Sequence, residues 1–279
     1  MDGILLINKP YGMTSHDVVS KLRRILKTRK IGHSGTLDPQ ATGVLFVMVG
    51  KATKILPFLE DIDKEYIAEM KLGISTLSDD IFYPVLETKE IQPIEDFDAL
   101  LQSFKGKQKQ LQPMISSIKV NGKKLYEYAR NNEEVERPLR DVEMFELETL
   151  PSLSEDTYRF RVHCSSGSYV RSLCRDIALK SNNLGVMTSL IRSKVGRFAL
   201  EDCVTLEDVE AGHYQLHTIN ELLGHYPMID FEPIKDIYNG KHVRLNIKAN
   251  MCAMVDQGEV IAIYERHHSN VFKCVRGLW

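Results

Sequence analysis

The stretch that decides the fold runs from Gly32 to Leu45 and reads GHSGTLDPQATGVL. Asp38 stands directly before Pro39, and a residue before proline is pushed towards extended backbone. Proline suits the first turn of a helix, so one interpretation makes Asp38 a helix N-cap and the three glycines turn residues. The other interpretation is chemical. A carboxylate held on rigid backbone at a strand-to-helix junction can act as a nucleophile at a sugar carbon.

The residues around this stretch predict strands and helices in alternation. Residues 4–7 and 44–49 are continuous apolar runs typical of buried strands, and residues 66–72 alternate like a half-buried strand. Thr14 and Asp17 have capping-box spacing and open a helix with lysines and arginines on one face. Together these elements predict a sheet with flanking helices.

Further along the chain, residues 158–164 predict a strand, residues 169–180 a helix and residues 187–191 a short helix. Asn121-Gly122 is a turn signal inside a basic, tyrosine-bearing arm at about 105–140. After residue 226 the chain is rich in strand-like segments. We therefore expect a catalytic domain at 1–225 and a small β-rich domain at 226–279.

Composition excludes several classes of protein. The chain has 279 residues, 43% hydrophobic and 27% charged, which is ordinary for a globular protein. The five cysteines form no C-x-x-C pair and the nine histidines show no metal-ligand spacing, so we expect free thiols, a reducing compartment and no metal. The N-terminal apolar run predicts a strand rather than a signal peptide, and no apolar stretch is long enough for a membrane span.

Charge is distributed unevenly although the net charge is only -2. Residues 9–54 carry nine lysines and arginines against two acids, and residues 105–140 carry nine against four. Residues 201–236 carry nine acids and one lysine. A basic face beside an acidic one can bind a polyanion, although a solvated helix face with uneven charge gives the same pattern.

Six motifs in order resemble those of the TruB family, the bacterial tRNA pseudouridine-55 synthases. The first is the opening stretch itself. The others are Lys9-Pro10-x-Gly12-x-Thr14-Ser15, Lys64-x-Tyr66 with Leu72-Gly73, Lys119-Val120-x-Gly122 with Leu125-Tyr126-x-x-Ala129-Arg130, Gly167-x-Tyr169-x-Arg171, and Leu190-x-Arg192 with Val195-Gly196. They span about residues 3 to 200. This resemblance implies an α+β pseudouridine synthase fold with a mixed, largely antiparallel sheet, flanking helices and a central cleft.

The resemblance implies an isomerase that needs no cofactor. The enzyme would bind the T stem-loop of tRNA and flip the target uridine out of the stack, as an enzyme acting on a base must. With the help of Asp38 the glycosidic bond would break, the uracil would rotate, and C5 would bond to C1′. The resemblance also implies a cytoplasmic monomer that uses no guide RNA.

The resemblance assigns roles to individual residues, each of which has a structural alternative. Arg171 would pair with the Asp38 carboxylate and orient it, although alone it resembles an exposed residue of an amphipathic helix. Tyr66 would stack on the target base, although alone it resembles a core aromatic of a strand.

Four further residues would line the site or contact RNA. Tyr169 and Leu190 would line the uracil pocket, His33 would fill the space left by the flipped base, and Lys9 would lie beside the active site. Alone, each resembles an ordinary packing, turn or structural residue. The arm at 105–140 would be a thumb-like insertion that closes over RNA, and the segment 226–279 would be a PUA-like barrel contacting the tRNA acceptor end.

The sequence departs from the family pattern at several positions, and two other functions stay open. Leu77 replaces an aspartate, Tyr83 a glycine and Met114 a proline, which puts some RNA contacts in doubt. An RNA-binding or tRNA-folding protein with secondary catalysis would share the same motifs. A guide-RNA-dependent relative would also share the stretch around Asp38, although the basic arm and the short C-terminal segment favour the stand-alone type.

Overall fold

The computed structural model describes residues 1–59, 63–152, 154 and 156–279. The strands, numbered in chain order, are β1 (Gly3–Lys9), β2 (Ile31–Ser34), β3 (Thr42–Val49), β4 (Lys64–Leu72), β5 (Ile74–Thr76), β6 (Val85–Thr88), β7 (Gly106–Leu111), β8 (Lys119–Val120), β9 (Lys123–Lys124), β10 (Leu139–Leu150), β11 (Thr157–Cys164), β12 (Gly185–Val195), β13 (Phe198–Ala199), β14 (Met228–Asp230), β15 (Val243–Arg244), β16 (Met251–Asp256), β17 (Glu259–His268) and β18 (Val271–Gly277). The helices are α1 (Ser15–Ile25), α2 (Phe97–Gln102), α3 (Leu125–Arg130), α4 (Val170–Lys180), α5 (Leu206–Ala211), α6 (Ile219–Leu222) and α7 (Ile234–Tyr238). Short 3-10 turns lie at Gly50–Lys54, Leu56–Phe58 and Leu200–Asp202.

The chain folds as two compact units. Unit 1 comprises Met1–Pro39, Val44–Glu60 and Glu201–Trp279, and unit 2 comprises Gln40–Gly43 and Asp61–Leu200. The predicted boundary between residues 225 and 226 stays a prediction. The predicted α+β class with a mixed, largely antiparallel sheet is confirmed.

Unit 1 begins with β1, β2 and β3, whose apolar side chains form one core with α1 and α5. β2 runs antiparallel to β3, with Ile31 opposite Val49 and Ser34 opposite Phe46. The predicted capping box opens α1, since the Thr14 hydroxyl accepts from the backbone of Asp17 while the Asp17 carboxylate accepts from the backbone of Thr14. This cap fixes where the helix begins, and Val18 and Leu22 then face the core.

The C-terminal part of unit 1 is a sheet of its own. Its strands lie in the order β14-β16-β17-β18-β15, all between Met228 and Gly277. A separate apolar core that includes Tyr264 and Phe272 lies against it. This curled sheet fits the predicted PUA-like domain.

Unit 2 is built on the antiparallel strands β12-β4-β11-β10-β7, with α4 packed against β12, β4 and β7. Thr42 and Gly43 pair in parallel with Ile191 and Arg192, which makes the sheet mixed. At Gly43, with φ +103°, an added Cβ would lie 2.2 Å from the carbonyl oxygen of Arg192. Only glycine allows the two backbones to come this close.

The predicted short helix at 187–191 is wrong, because these residues belong to β12. They pair with β4 over the whole strand, and a bulge between Met187 and Ser189 interrupts the alternation. That interruption places Met187, Leu190 and Ile191 at a spacing that resembles a helix in the sequence.

Candidate active site

Asp38 lies on a connection between two strands, and the helix-cap interpretation is wrong. Residues 35–38 follow β2, Pro39 and Gln40 form a turn, and the chain enters β3 at Thr42. All of this stretch is described, and no helix begins in it. The predicted strand-to-helix junction is therefore a strand-to-strand connection, so capping does not account for the aspartate.

Both chain neighbours of Asp38 are held by hydrogen bonds within unit 1. The Leu37 N–H donates to the Ser15 hydroxyl at 2.9 Å, and that hydroxyl lies 3.2 Å from the Leu37 carbonyl. The Pro39 carbonyl accepts from the Gly12 N–H at 2.9 Å and from the Lys9 ammonium at 3.1 Å. The backbone that carries the carboxylate is thus fixed on both sides.

The Lys9 side chain is completely buried, and its ammonium serves the backbone of this region. Besides Pro39, it donates to the carbonyls of Pro10 at 2.9 Å and Met13 at 2.5 Å. A buried ammonium is tolerated because these oxygens replace its water. Lys9 therefore has a structural role, as the alternative interpretation expected, and its contact with RNA stays a prediction.

Arg171 is buried in unit 2, so the expectation of an exposed helix residue is wrong. Its side chain is 4% exposed and lies in the first turn of α4. One guanidinium nitrogen donates to the Ser78 carbonyl at 2.8 Å, and the other donates to the Ile115 carbonyl at 3.0 Å. The Asp80 carboxylate lies 3.7 Å from it. These contacts fix the plane of the guanidinium.

A second arginine, one turn further along α4, makes similar contacts. Arg175 donates to the Asp79 carboxylate at 2.8 Å, to the Asp176 carboxylate at 2.8 Å and to the Leu111 carbonyl at 3.1 Å. Burial raises the pKa of both carboxyls, and the charge of Arg175 opposes the rise. Arg137 belongs to the same group, and burial lowers the pKa of its guanidinium.

Tyr169 precedes α4, and a buried glutamine holds its backbone. The side-chain amide of Gln110 accepts from the Tyr169 N–H at 2.8 Å and donates to its carbonyl at 3.1 Å. The Arg171 guanidinium carbon lies 5.9 Å from the centre of the Tyr169 ring. Tyr169 and Arg171, two of the predicted site residues, therefore lie close together within unit 2.

Tyr66 and Leu190 share one face of the sheet in unit 2. Ala68 on β4 is opposite Leu190, and Tyr66, two residues earlier, is opposite Arg192. Alternate residues of a strand point to the same side, so Tyr66 and Leu190 are diagonal neighbours. Both are buried. This arrangement allows a pocket with an aromatic and an aliphatic wall, and it equally allows ordinary packing.

Sequence reasoning missed several residues of this region. The Asp80 contact had a signal, since Asp80 lies between Leu77 and Tyr83, two positions that were compared with the family pattern. Arg175 and Gln110 had none, because their partners Asp79 and Tyr169 lie far away in the sequence. Lys64 is also notable: burial and the nearby Arg192 lower the pKa of its ammonium, which donates to the Ser166 hydroxyl at 3.1 Å.

Asp38 and His33 belong to unit 1, whereas Tyr66, Tyr169, Arg171 and Leu190 belong to unit 2. Their roles in one site stay a prediction. Within the described ranges, no three histidine, cysteine or acidic side chains are arranged to hold a metal ion. No helix in the described part of the chain is long and apolar enough to cross a membrane.

Comparison with solved structures defines the class of fold. The chain is similar to the protein in "Crystal Structure of a Cbf5-Nop10-Gar1 Complex", with a TM-score of 0.72, 23% identity, and coverage of 99% of this chain and 85% of that one. It is similar to the protein in "Crystal structure of the archaeal box H/ACA sRNP Nop10-Cbf5 complex", with a TM-score of 0.70, 23% identity, and coverage of 99% and 86%. The chain therefore shares the fold of these two proteins.

Comparison of sequences defines the family. Residues 23–170 match the family described as TruB family pseudouridylate synthase (N terminal domain), and residues 171–226 match tRNA pseudouridylate synthase B C-terminal domain. "tRNA pseudouridine synthase B" of Oceanobacillus iheyensis is 43% identical, over 97% of this chain and 94% of that protein. The protein of the same name from Bacillus thuringiensis (strain Al Hakam) is 40% identical, over 100% and 97%. The chain belongs to the TruB family of pseudouridylate synthases, and it is an isomerase.

Proposed function

We propose that this protein converts the uridine at position 55, in the T loop of tRNA, to pseudouridine. The observation that carries the proposal is the fixed backbone at Asp38, whose neighbours Leu37 and Pro39 are both hydrogen-bonded to the segment that precedes and opens α1. The two relatives named above are tRNA pseudouridine synthases by name. Membership of their family supports tRNA as the substrate.

In the proposed reaction the enzyme flips the target uridine out of the loop, where a base is cheap to unstack. The Asp38 carboxylate then attacks or electrostatically assists at the ribose or the base. The bond between N1 and C1′ breaks, the uracil rotates, and C5 bonds to C1′. C5 loses one proton and N1 gains one, so the reaction is an isomerisation that needs no cofactor.

The other predicted residues take supporting roles in this proposal. Arg171 pairs with Asp38 and orients it, Tyr66 stacks on the base, and Tyr169 and Leu190 line the uracil pocket. His33 fills the space that the base leaves. Two geometric facts support these roles: the Arg171 guanidinium is held by backbone carbonyls, and Tyr66 and Leu190 lie on one face of the sheet.

In this proposal the protein acts alone, as a monomer in the cytoplasm. Its arm at 105–140 closes over the T stem-loop. The five cysteines are free thiols, which supports a reducing compartment. The basic arm supports contact with phosphates.

The test is an assay of the purified protein with one unmodified tRNA transcript and no other RNA, followed by mapping of the modified position. Pseudouridine at position 55 supports the proposal. Pseudouridine elsewhere would contradict the T-loop assignment. Activity that appears only when a guide RNA is added would favour the guide-dependent alternative.

A further inference from the structure

The connection between β5 and β6, together with the first two residues of β6, has its polar side chains inside and its apolar side chains outside. Ser78, Asp79 and Asp80 are 0%, 7% and 7% exposed. The apolar residues of the next six positions are all exposed, by 38% to 65%: Ile81, Phe82, Tyr83, Val85 and Leu86. Apolar side chains gathered on the surface while charged ones are buried indicate a surface that another molecule covers.

The backbone of this connection is fixed, so its exposed side chains have a set position. Arg171 donates to the Ser78 carbonyl, and Arg175 donates to the Asp79 carboxylate, both at 2.8 Å. The Phe82 N–H donates to the Asp80 carboxylate at 2.9 Å, and the Ile81 N–H donates to the Met187 carbonyl at 2.9 Å. A surface whose backbone is already ordered loses little entropy when it binds.

We infer that Phe82 and Tyr83 form a stacking surface for an unpaired base of the substrate RNA, other than the target uridine. This surface is called the 82–83 platform below. The inference rests on the proposed function, and it names two residues that contribute to the recognition of the RNA. Aromatic faces suit bases, and each stacked base contributes substantially to affinity.

The surroundings of the platform fit RNA. The same arginine that holds Ser78 also donates to the carbonyl of Ile115, which lies in the arm at 105–140. Residues 105–140 carry nine basic and four acidic residues, a net charge of +5 (nine minus four), which suits phosphates. A pocket of about 740 Å³ lies beside Leu77 and Leu86 and is bordered by Glu134 and Glu136. Its carboxylates repel phosphate but accept hydrogen bonds from the amino groups of bases.

A second copy of the chain fits this surface less well. A stable interface between proteins buries about 800 Å² and some 20–30 residues on each partner. The platform and its exposed apolar neighbours comprise only five residues between Ile81 and Leu86. A base, with its small flat face, matches a surface of this size better than a protein does.

The experiment compares Phe82→Ala, Tyr83→Ala and Tyr83→Phe with the wild-type protein on a T stem-loop hairpin. Leu179→Ala is the matched control, since Leu179 is an apolar side chain of unit 2 that is 55% exposed. Hairpins with one abasic site at each loop position in turn complete the design. Binding is measured by fluorescence anisotropy and turnover by pseudouridine formation, and circular dichroism verifies folding.

We expect the alanine variants at 82 or 83 to raise the Kd by about tenfold, as the loss of one stacked base does. Tyr83→Phe and Leu179→Ala should bind like the wild type. At the loop position whose base stacks on the platform, the abasic hairpin should bind the wild type and the alanine variant equally weakly, because the stacked base is already missing. Equal Kd values for all four variants would overturn the inference. Losses of affinity from the alanine substitution and from the abasic site that add at every loop position would also overturn it. So would a wild-type dimer that Tyr83→Ala dissociates. If the wild type binds the hairpin but forms no pseudouridine, the proposed function fails and the binding data still test the platform.

Discussion

Arg175 reaches from the middle of α4 to Asp79, and one of its terminal nitrogens lies 2.8 Å from the carboxylate. The Arg175 and Asp79 side chains are only 14% and 10% exposed. The pair joins the helix that carries Arg171 to the connection that holds the Arg171 guanidinium. The position of Arg171 therefore depends on a buried ion pair one helical turn away.

Replacing Arg175 with methionine should lower the free energy of unfolding by about 3 kcal/mol, because it leaves the buried Asp79 carboxylate and the half-buried Asp176 carboxylate without the arginine that pairs with them. Urea unfolding checks this. Arg161→Met is the matched control, since Arg161 pairs with Glu148 on the exposed side of the sheet and should change stability little. A loss no greater than that of the control would show that Arg175 does not hold this region.

Gly43→Ala should destabilise the protein by about 3 kcal/mol, because Gly43 has a positive φ and its added Cβ would meet the Arg192 carbonyl at 2.2 Å. Gly32→Ala is the control from the same motif, since its Cβ would meet nothing closer than 3.9 Å. It should cost less than about 1 kcal/mol. Similar unfolding midpoints for the two variants would contradict the close approach of the two strands.

Lys9→Met should lower the free energy of unfolding by about 2 kcal/mol or more, since three carbonyls lose a buried donor. Turnover should fall as well, because the Pro39 carbonyl beside Asp38 then keeps only the Gly12 N–H of its two donors. Thermal unfolding and pseudouridine formation check the two effects. A variant that keeps full stability but loses RNA binding would indicate that Lys9 contacts RNA instead.

The stability of the wild type relative to Lys64→Met should rise with pH. Burial lowers the pKa of Lys64 below 10.5, so between the folded pKa and 10.5 the unfolded chain binds more protons than the native protein. The native state therefore gains stability as pH rises through that window, and the penalty of the buried ammonium is fully present below it. Urea midpoints of both proteins between pH 7 and 10 check this. A constant difference would contradict it.

Much of the fold could be predicted from the sequence, because local patterns determine it. The capping box at Thr14, the apolar run of β3 and the alternation of β4 and β11 all indicate the observed elements. Two predictions were wrong for reasons that lie outside local pattern. The bulge after Met187 interrupts the alternation of β12, so the strand resembles a helix in the sequence. The chain after Pro39 continues into β3 rather than into a helix, because the β-branched residues of β3 pair with neighbouring strands.

Less of the candidate site could be predicted. Family-like motifs indicated Asp38, Tyr66, Tyr169, Arg171 and Leu190, but not what holds them. Arg171 resembled an exposed residue because its partners are the backbone carbonyls of Ser78 and Ile115, and the pattern of side chains in a sequence does not reveal contacts with the backbone. Arg175 and Asp79 are 96 positions apart, and no spacing rule connects them.

The central claim is that Asp38 is essential for the chemistry and largely dispensable for holding RNA. Asp38→Asn and Asp38→Ala are compared with the wild type and with Asp98→Asn, an exposed aspartate of α2, for pseudouridine formation in one tRNA transcript and for its Kd. Both Asp38 variants should form no pseudouridine while their Kd stays within a few-fold of the wild type, and Asp98→Asn should remain active. Pseudouridine formation by Asp38→Ala would contradict the account.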